Sequence, residues 1–131
     1  MNNKQIVENF WLTMATNDFY AAAQLLHDDY ILEWPQSAER IRGRDNFAAI
    51  NTNYPAEGEW RFTIHQIVAE GDVVATRKAF RGKHMGAFMG VEPTGKEIII
   101  LVMDFVRLRN GKYVEHWGMR DIQYIMKQLN G

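Results

Sequence analysis

Cysteine is absent from the chain. Without a thiol there is no disulfide framework, no thiolate metal site and no cysteine nucleophile. Neither sign of charge dominates: 15 Lys and Arg stand against 16 Asp and Glu, interleaved along the sequence, for a formal net charge of -1. That balance offers no basic footprint for nucleic acid and no polybasic anchor for a membrane. No apolar run approaches the ~20 residues needed to cross a bilayer. The opening stretch, MNNKQIVENF, lacks a basic region followed by an apolar one, so no secretory signal is expected. There is no repeat and no low-complexity segment. These absences leave one domain, residues 1–131, expected in the cytoplasm. A chain of this length buries roughly two-thirds of its unfolded surface, enough for a core without staples.

What is present is aromatic. Phe, Tyr and Trp make up 12% of the residues, with four Trp among them. In a small domain this points to a large aromatic core or to a pocket for a flat apolar ligand.

Ile6, Val7, Phe10, Trp11 and Met14 recur at helical spacing, predicting a helix over 4–16 with Asn2 or Asn3 as its cap. A second helix is predicted over 19–27, a short strand over 30–34 ended by Pro35, a polar loop over 36–43, and a third short helix after Asp45. From Trp60 onward the period changes to two. Residues 60–68 and 73–81 read as a hairpin about Gly71-Asp72, with Gln66 facing Arg77 and His65 facing Lys78. Glycines at 82, 86 and 90 loosen the next stretch. A long strand follows over 97–109, then an Asn110-Gly111 type I′ turn, a return strand over 112–118 and a closing helix over 122–129. Helices first and antiparallel strands after predict an α+β fold: a cone-shaped curved antiparallel sheet with N-terminal helices on its concave face. The mouth of such a cone is a natural small-molecule pocket.

The strand 97–109 is apolar on both faces, with Ile98, Ile100 and Val102 on one and Ile99, Leu101, Met103 and Phe105 on the other. Such a strand wants cover on both sides. Helices supply one cover, and a second copy of the chain is expected to supply the other, making a homodimer through the sheet. With a tight turn at 110–111, Asp104 falls opposite Trp117, and Met119 and Asp121 share their face. His116 then points the other way, as an interface or core residue, and His27 and His65 lie on the surface. No two histidines have metal-ligand spacing with a nearby carboxylate, so neither a metal nor another cofactor is expected.

Several segments carry a family resemblance: His84-Met-Gly86, Met89-Gly-Val-Glu-Pro-Thr-Gly95, Asn110-Gly-Lys-Tyr-Val-Glu-His-Trp117 with Asp121 four residues on, Gln128-Leu-Asn, and Glu33-Trp-Pro35 with Gly43 beyond. Together these resemble the SnoaL-like, polyketide cyclase-like branch of the nuclear transport factor 2-like superfamily, over nearly the whole chain. The resemblance implies a conical α+β barrel, commonly a homodimer, hosting cyclases, dehydratases, isomerases, an epoxide hydrolase and binding modules. Fold is thus a weak guide to reaction.

The resemblance makes Asp121 the candidate general acid/base. A carboxylate in an apolar pocket loses hydration, its pKa rises, and it becomes a better base toward a proton beside a carbonyl. Asp121 also directly precedes the last helix and can be its N-cap. His84, in the glycine-rich loop, is the candidate proton partner or carbonyl polariser. Trp34, Trp117, Trp60, Tyr20 and Phe88 are candidate pocket walls. Arg77 is either a strand-surface charge or an oxyanion binder. Among the family's reactions, a ketosteroid isomerase design wants an acid where Trp34 stands. The epoxide hydrolase design wants Arg-x-Asp, where this chain has Arg77-Lys78-Ala79. The expectation is a small-molecule enzyme acting by acid/base chemistry on an apolar, carbonyl-bearing, cyclic or aromatic substrate. A non-catalytic ligand-binding or dimerisation module of the same fold is the alternative.

Overall fold

The computed structural model describes residues 1–16, 18–35, 39–50, 59–86 and 90–131. Its elements run α1 (Asn3–Ala15), α2 (Phe19–Ala23), β1 (Leu26–Trp34), β2 (Glu39–Arg42), α3 (Arg44–Ile50), β3 (Arg61–Glu70), β4 (Val73–Lys83), β5 (Glu97–Arg109), β6 (Lys112–Arg120) and α4 (Ile122–Asn130). The α+β class and the helices-then-strands order are as expected.

α1 starts at a capping box: the Asn2 side chain accepts from the Gln5 N–H, and the Gln5 side chain accepts from the Asn2 N–H. Its buried stripe is Val7, Phe10, Trp11 and Met14. α2 is shorter than its apolar pattern suggests. The chain leaves it at Gln24, because Leu26 pairs with Tyr113 and Leu25 O accepts from the Tyr113 N–H. Sheet pairing here overrides local helical spacing. Part of the stretch read as a polar loop is β2, which pairs with β1 and carries an Arg40–Glu33 ion pair of 2.6 Å.

The six strands form one sheet in the order β2-β1-β6-β5-β4-β3. β1 lies parallel to β6 and every other pairing is antiparallel, which corrects the expectation of an all-antiparallel sheet. β2 and β3 are its edges, so the sheet curves without closing into a barrel. Its concave face carries Val74, Thr76, Lys78 and Phe80 from β4, Ile98 to Leu108 at alternate positions from β5, and Tyr113, His116 and Gly118 from β6. α1 covers this face, with Phe10 ring to Tyr113 ring at 4.4 Å and Trp11 to Phe80 at 5.5 Å.

Bulges in β3 and β6 help set which side chains reach that face. In β3 the register steps from Ile64↔Lys78 to Gln66↔Arg77, so His65 has no partner residue, and only the Gln66–Arg77 half of the expected pairing is found. In β6 it steps from Leu108↔Tyr113 to Arg107↔Glu115, leaving Val114 as the extra residue. One extra residue turns every later side chain over. Asp104 therefore lies opposite Gly118, Phe105 opposite Trp117 and Val106 opposite His116.

α4 closes the free edge of β5 where β6 has ended. The Gln128 side-chain amide donates to Ile99 O and accepts from the Ile99 N–H, both at 2.8 Å, as a neighbouring strand would. Among the described residues no helix is long and apolar enough to cross a membrane.

Candidate active site

Among the described residues the polar or charged side chains buried in the interior include Thr76, Lys78, His84, Asp104 and His116. Three strands bring four of them together. Thr76 and Lys78 are neighbours on the inner face of β4, Asp104 faces them from β5, and His116 reaches Asp104 from β6.

Asp104 is the hub. Its Oδ1 accepts from the Thr76 hydroxyl, and its Oδ2 accepts from Lys78 Nζ at 2.5 Å and from His116 Nε2 at 2.8 Å. Burial alone would push this carboxyl upward. Burial likewise draws the Lys78 ammonium below its ordinary range, and the attraction of Asp104 opposes this; that attraction, with the imidazole of His116, holds the carboxyl well below its ordinary range, so Asp104 is ionised. Lys78 also donates to Thr76 Oγ1 at 2.8 Å, and its Nζ lies 4.1 Å from the centre of the Trp11 ring.

An ionised carboxylate only accepts, so His116 Nε2 carries a proton. In the neutral imidazole Nδ1 is then the acceptor for the Tyr30 hydroxyl, 3.2 Å away. The result is a chain Tyr30–His116–Asp104, a hydroxyl, an imidazole and a carboxylate in sequence, tied at its acidic end to Lys78. Trp34 stands beside it, its ring 6.5 Å from that of His116 and its far side stacked under Arg120 at 4.5 Å. Gly118 leaves room for that indole, since a Cβ there would lie 2.5 Å from Trp34 Cζ3.

Residues 4–129 match the description SnoaL-like polyketide cyclase. The chain belongs to the SnoaL-like family. Among solved structures, IdmH from Streptomyces antibioticus, described as a candidate polyketide cyclase, is 26% identical with a TM-score of 0.81, and the match covers 100% of both chains. AclR from Streptomyces galilaeus, described as a candidate hydroxylase, is 23% identical over 98% of this chain and 84% of its own, with a TM-score of 0.84. An epoxide hydrolase of the LEH-like type from M. tuberculosis is 20% identical over 98% and 89%, with a TM-score of 0.77. The last two speak for the fold alone. No curated protein sequence matches the chain. SnoaL-like folds thus accompany more than one chemistry, and residues must decide among them.

The residues singled out from the sequence fall in several places. Asp121 is exposed at the start of α4, where its side chain accepts from the Tyr124 N–H at 3.0 Å, the geometry of an N-cap. His84 is fully buried, but its Nδ1 accepts from the Thr94 N–H at 3.1 Å, and among the described residues its Nε2 has no partner. Among the described residues no hydrogen bond joins Asp121 to His84 or either to the Asp104 cluster. Trp34 borders the cluster, and half-buried Trp60 packs on the core, its ring filling the space over Gly82. Tyr20 is 75% exposed, which removes it from an interior wall. Trp117 and Arg77 lie on the outer face of the sheet, Trp117 because of the Val114 bulge and Arg77 as an exposed residue of β4. Phe88 lies outside the described residues.

Sequence reasoning names none of this cluster as site residues: it places Asp104 only on a strand face, reads His116 as an interface or core residue, and passes over Lys78, Thr76 and Tyr30. One signal was available: Lys78 sits between Val73-Val-Ala75 and Ala79-Phe80 at an even position shared with Val74, a lysine placed where the pattern asks for an apolar residue. Away from this centre, His27, Asp28, Arg44, Asn110 and Lys112 line an open polar depression of about 380 Å³, in which Arg44 is paired with Asp28 at 3.2 Å.

Proposed function

We propose that this SnoaL-like protein is a small-molecule enzyme that moves protons at a carbon next to a carbonyl, in an apolar cyclic or aromatic substrate, through the Tyr30–His116–Asp104 relay. The observation that carries this reading is the buried carboxylate–imidazole–phenol chain in an interior made largely of apolar side chains. A proton leaving the substrate carbon passes to the Tyr30 oxygen as the phenol proton passes to His116 Nδ1. The imidazolium so formed rests against ionised Asp104, which stabilises it. Lys78 and Thr76 keep that carboxylate charged and in place. In this reading Tyr30 and His116 move the proton and Asp104 steadies the imidazolium, in place of the roles that the resemblance implied for Asp121 and His84.

Enolisation of a simple ketone tests the proposal without the natural substrate. Deuterium exchange into the α-position of 1-tetralone in D₂O, followed by proton NMR, should be accelerated by the wild type. His116→Gln and Asp104→Asn should lower that acceleration by roughly 10²–10⁴-fold, the usual reach of a positioned acid/base group, whereas Asp121→Asn should not. Exchange that survives both relay variants, or that is lost in Asp121→Asn alone, refutes the relay.

A second copy of the chain is the proposed cover for the outer face of the sheet. Met103, Phe105 and Met119 are 61%, 55% and 52% exposed there, beside Leu101 and half-buried Trp117. A contiguous apolar sheet face is self-complementary about a two-fold axis. Sedimentation should show a dimer at micromolar concentration that Phe105→Lys dissociates. A monomeric wild type would end this part of the proposal.

A further inference from the structure

Counting the hydrogen-bonding capacity of the buried cluster shows what it still lacks. Both Asp104 oxygens accept, both His116 nitrogens are engaged, Thr76 both donates and accepts, and two Lys78 protons go to oxygen while Trp11 lies under its Nζ. Among the described residues two polar atoms against the same cluster have no partner: the Tyr113 hydroxyl and Trp11 Nε1. Tyr113 is fully buried, packed between Phe10 at 4.4 Å and His116 at 6.0 Å. Trp11 is almost fully buried over Lys78.

An indole N–H can only donate. Burial, with the charge of Asp104 and the neighbouring Tyr30 adding to it, pushes the Tyr113 phenol well above its ordinary range, so it too remains a donor. Leaving two such groups unpaired in an apolar interior is unfavourable, at about 1–3 kcal/mol each. An unpaired buried polar group in a native fold calls for a partner from outside the chain, a water or a ligand, or for a functional reason.

We infer that Tyr113 Oη–H and Trp11 Nε1–H are the ligand-binding donors of this site, and that the ligand group they take is a neutral acceptor oxygen, a ketone, quinone or ester carbonyl. This rests on the relay reading for the position of the reacting carbon and adds to it the recognition of the oxygen. In enolisation the carbonyl oxygen gains negative charge, and the two donors then bind it more strongly than in the ground state.

The test uses 1-tetralone and its oxygen-free counterpart tetralin, titrated by calorimetry against the wild type, Tyr113→Phe and Trp11→Phe, with thermal unfolding of each protein. The wild type should bind the ketone about tenfold or more tightly than the hydrocarbon. Tyr113→Phe should reduce that ratio to about threefold or less, without a fall in Tm, because the hydroxyl it removes has no partner in the protein. Trp11→Phe should reduce the ratio likewise, which keeps the inference testable if one variant folds poorly. A ratio unchanged in both variants, a wild type indifferent to the oxygen, or a marked loss of Tm in Tyr113→Phe overturns it. Should the ratio fail to respond while His116→Gln still abolishes deuterium exchange, the donor assignment falls and the relay stands; the converse outcome removes the relay alone.

Discussion

Separating Lys78 from Asp104 should be among the most damaging single changes available in this protein, and removing both should be far milder than the sum. The two charges approach to 2.5 Å with side chains 0% and 1% exposed. At an effective dielectric of 20, Coulomb attraction at that distance is about 7 kcal/mol, and desolvation of both ions takes several kcal/mol back. What a single variant loses is dominated by the charge left behind: Asp104→Leu strands an ammonium over Trp11, and Lys78→Met strands a carboxylate against His116. Each should cost about 3–5 kcal/mol. Against a total of about 5–15 kcal/mol for a domain, this lowers Tm by roughly 10–20 °C. The double variant Lys78→Met/Asp104→Leu leaves no stranded charge, so its loss should fall short of the summed singles by about 2 kcal/mol or more. Urea unfolding followed by circular dichroism, run as a double-mutant cycle, measures every corner. Singles below about 1 kcal/mol, or an additive cycle, would show that water reaches the pair, and the buried relay would lose its physical basis. The cycle also separates stability from chemistry, because a well-folded double variant should still lack ketone exchange.

Other consequences follow from the same geometry. Asp104 is depressed in the fold relative to an unfolded value near 4. Its stabilising contribution is therefore full above about pH 5 and is lost as pH falls through 4 and below. The wild-type urea midpoint should drop between pH 5 and pH 2 more steeply than that of the Lys78→Met/Asp104→Leu variant, and parallel curves would contradict this. Gly118→Ala places a methyl 2.5 Å from the Trp34 ring, which is held between Arg120 and His116. A loss of about 1–3 kcal/mol with a shifted tryptophan emission is expected; an unperturbed emission would mean the indole yields freely. Gln128→Leu leaves the Ile99 N–H and C=O without their partners and should cost about 1–3 kcal/mol, read as faster amide exchange at Ile99.

Much of the fold was legible because its signals are local. Asn110 and Gly111 have φ of 52° and 75°, the left-handed pair that an Asn-Gly turn between two apolar runs announces. β5 was bounded correctly at Glu97 and Arg109 for the same reason, and α1 was found within one residue by its apolar spacing. The parallel pairing of β1 with β6 was not legible. It joins segments about 85 residues apart, and nothing within either segment encodes its direction. The early start of β1 at Leu26 was hidden by the same pairing.

The site was less legible than the fold, and one residue accounts for most of the difference. Counting back from a tight turn at 110–111 puts Asp104 opposite Trp117 and turns His116 to the other face. Val114 is the extra residue that breaks this count, and from there on β6 presents its opposite edge. A bulge leaves no composition signal in a strand whose residues are all acceptable on either face, and Tyr113-Val-Glu-His-Trp117 is such a run. Yet chemistry decides the register where propensity does not. With the unbulged count, Trp117 would stand in the crowded interior that Trp34 already fills, and His116 would leave Asp104 with one fewer donor. With the bulge, the imidazole meets the carboxylate, the glycine meets the indole, and the large apolar side chains Phe105, Trp117 and Met119 are gathered on the outer face. The same single insertion thus builds the relay on one side of the sheet and the apolar surface on the other. Deleting Val114 should therefore abolish ketone exchange and dimerisation together, whereas Phe105→Lys should separate them.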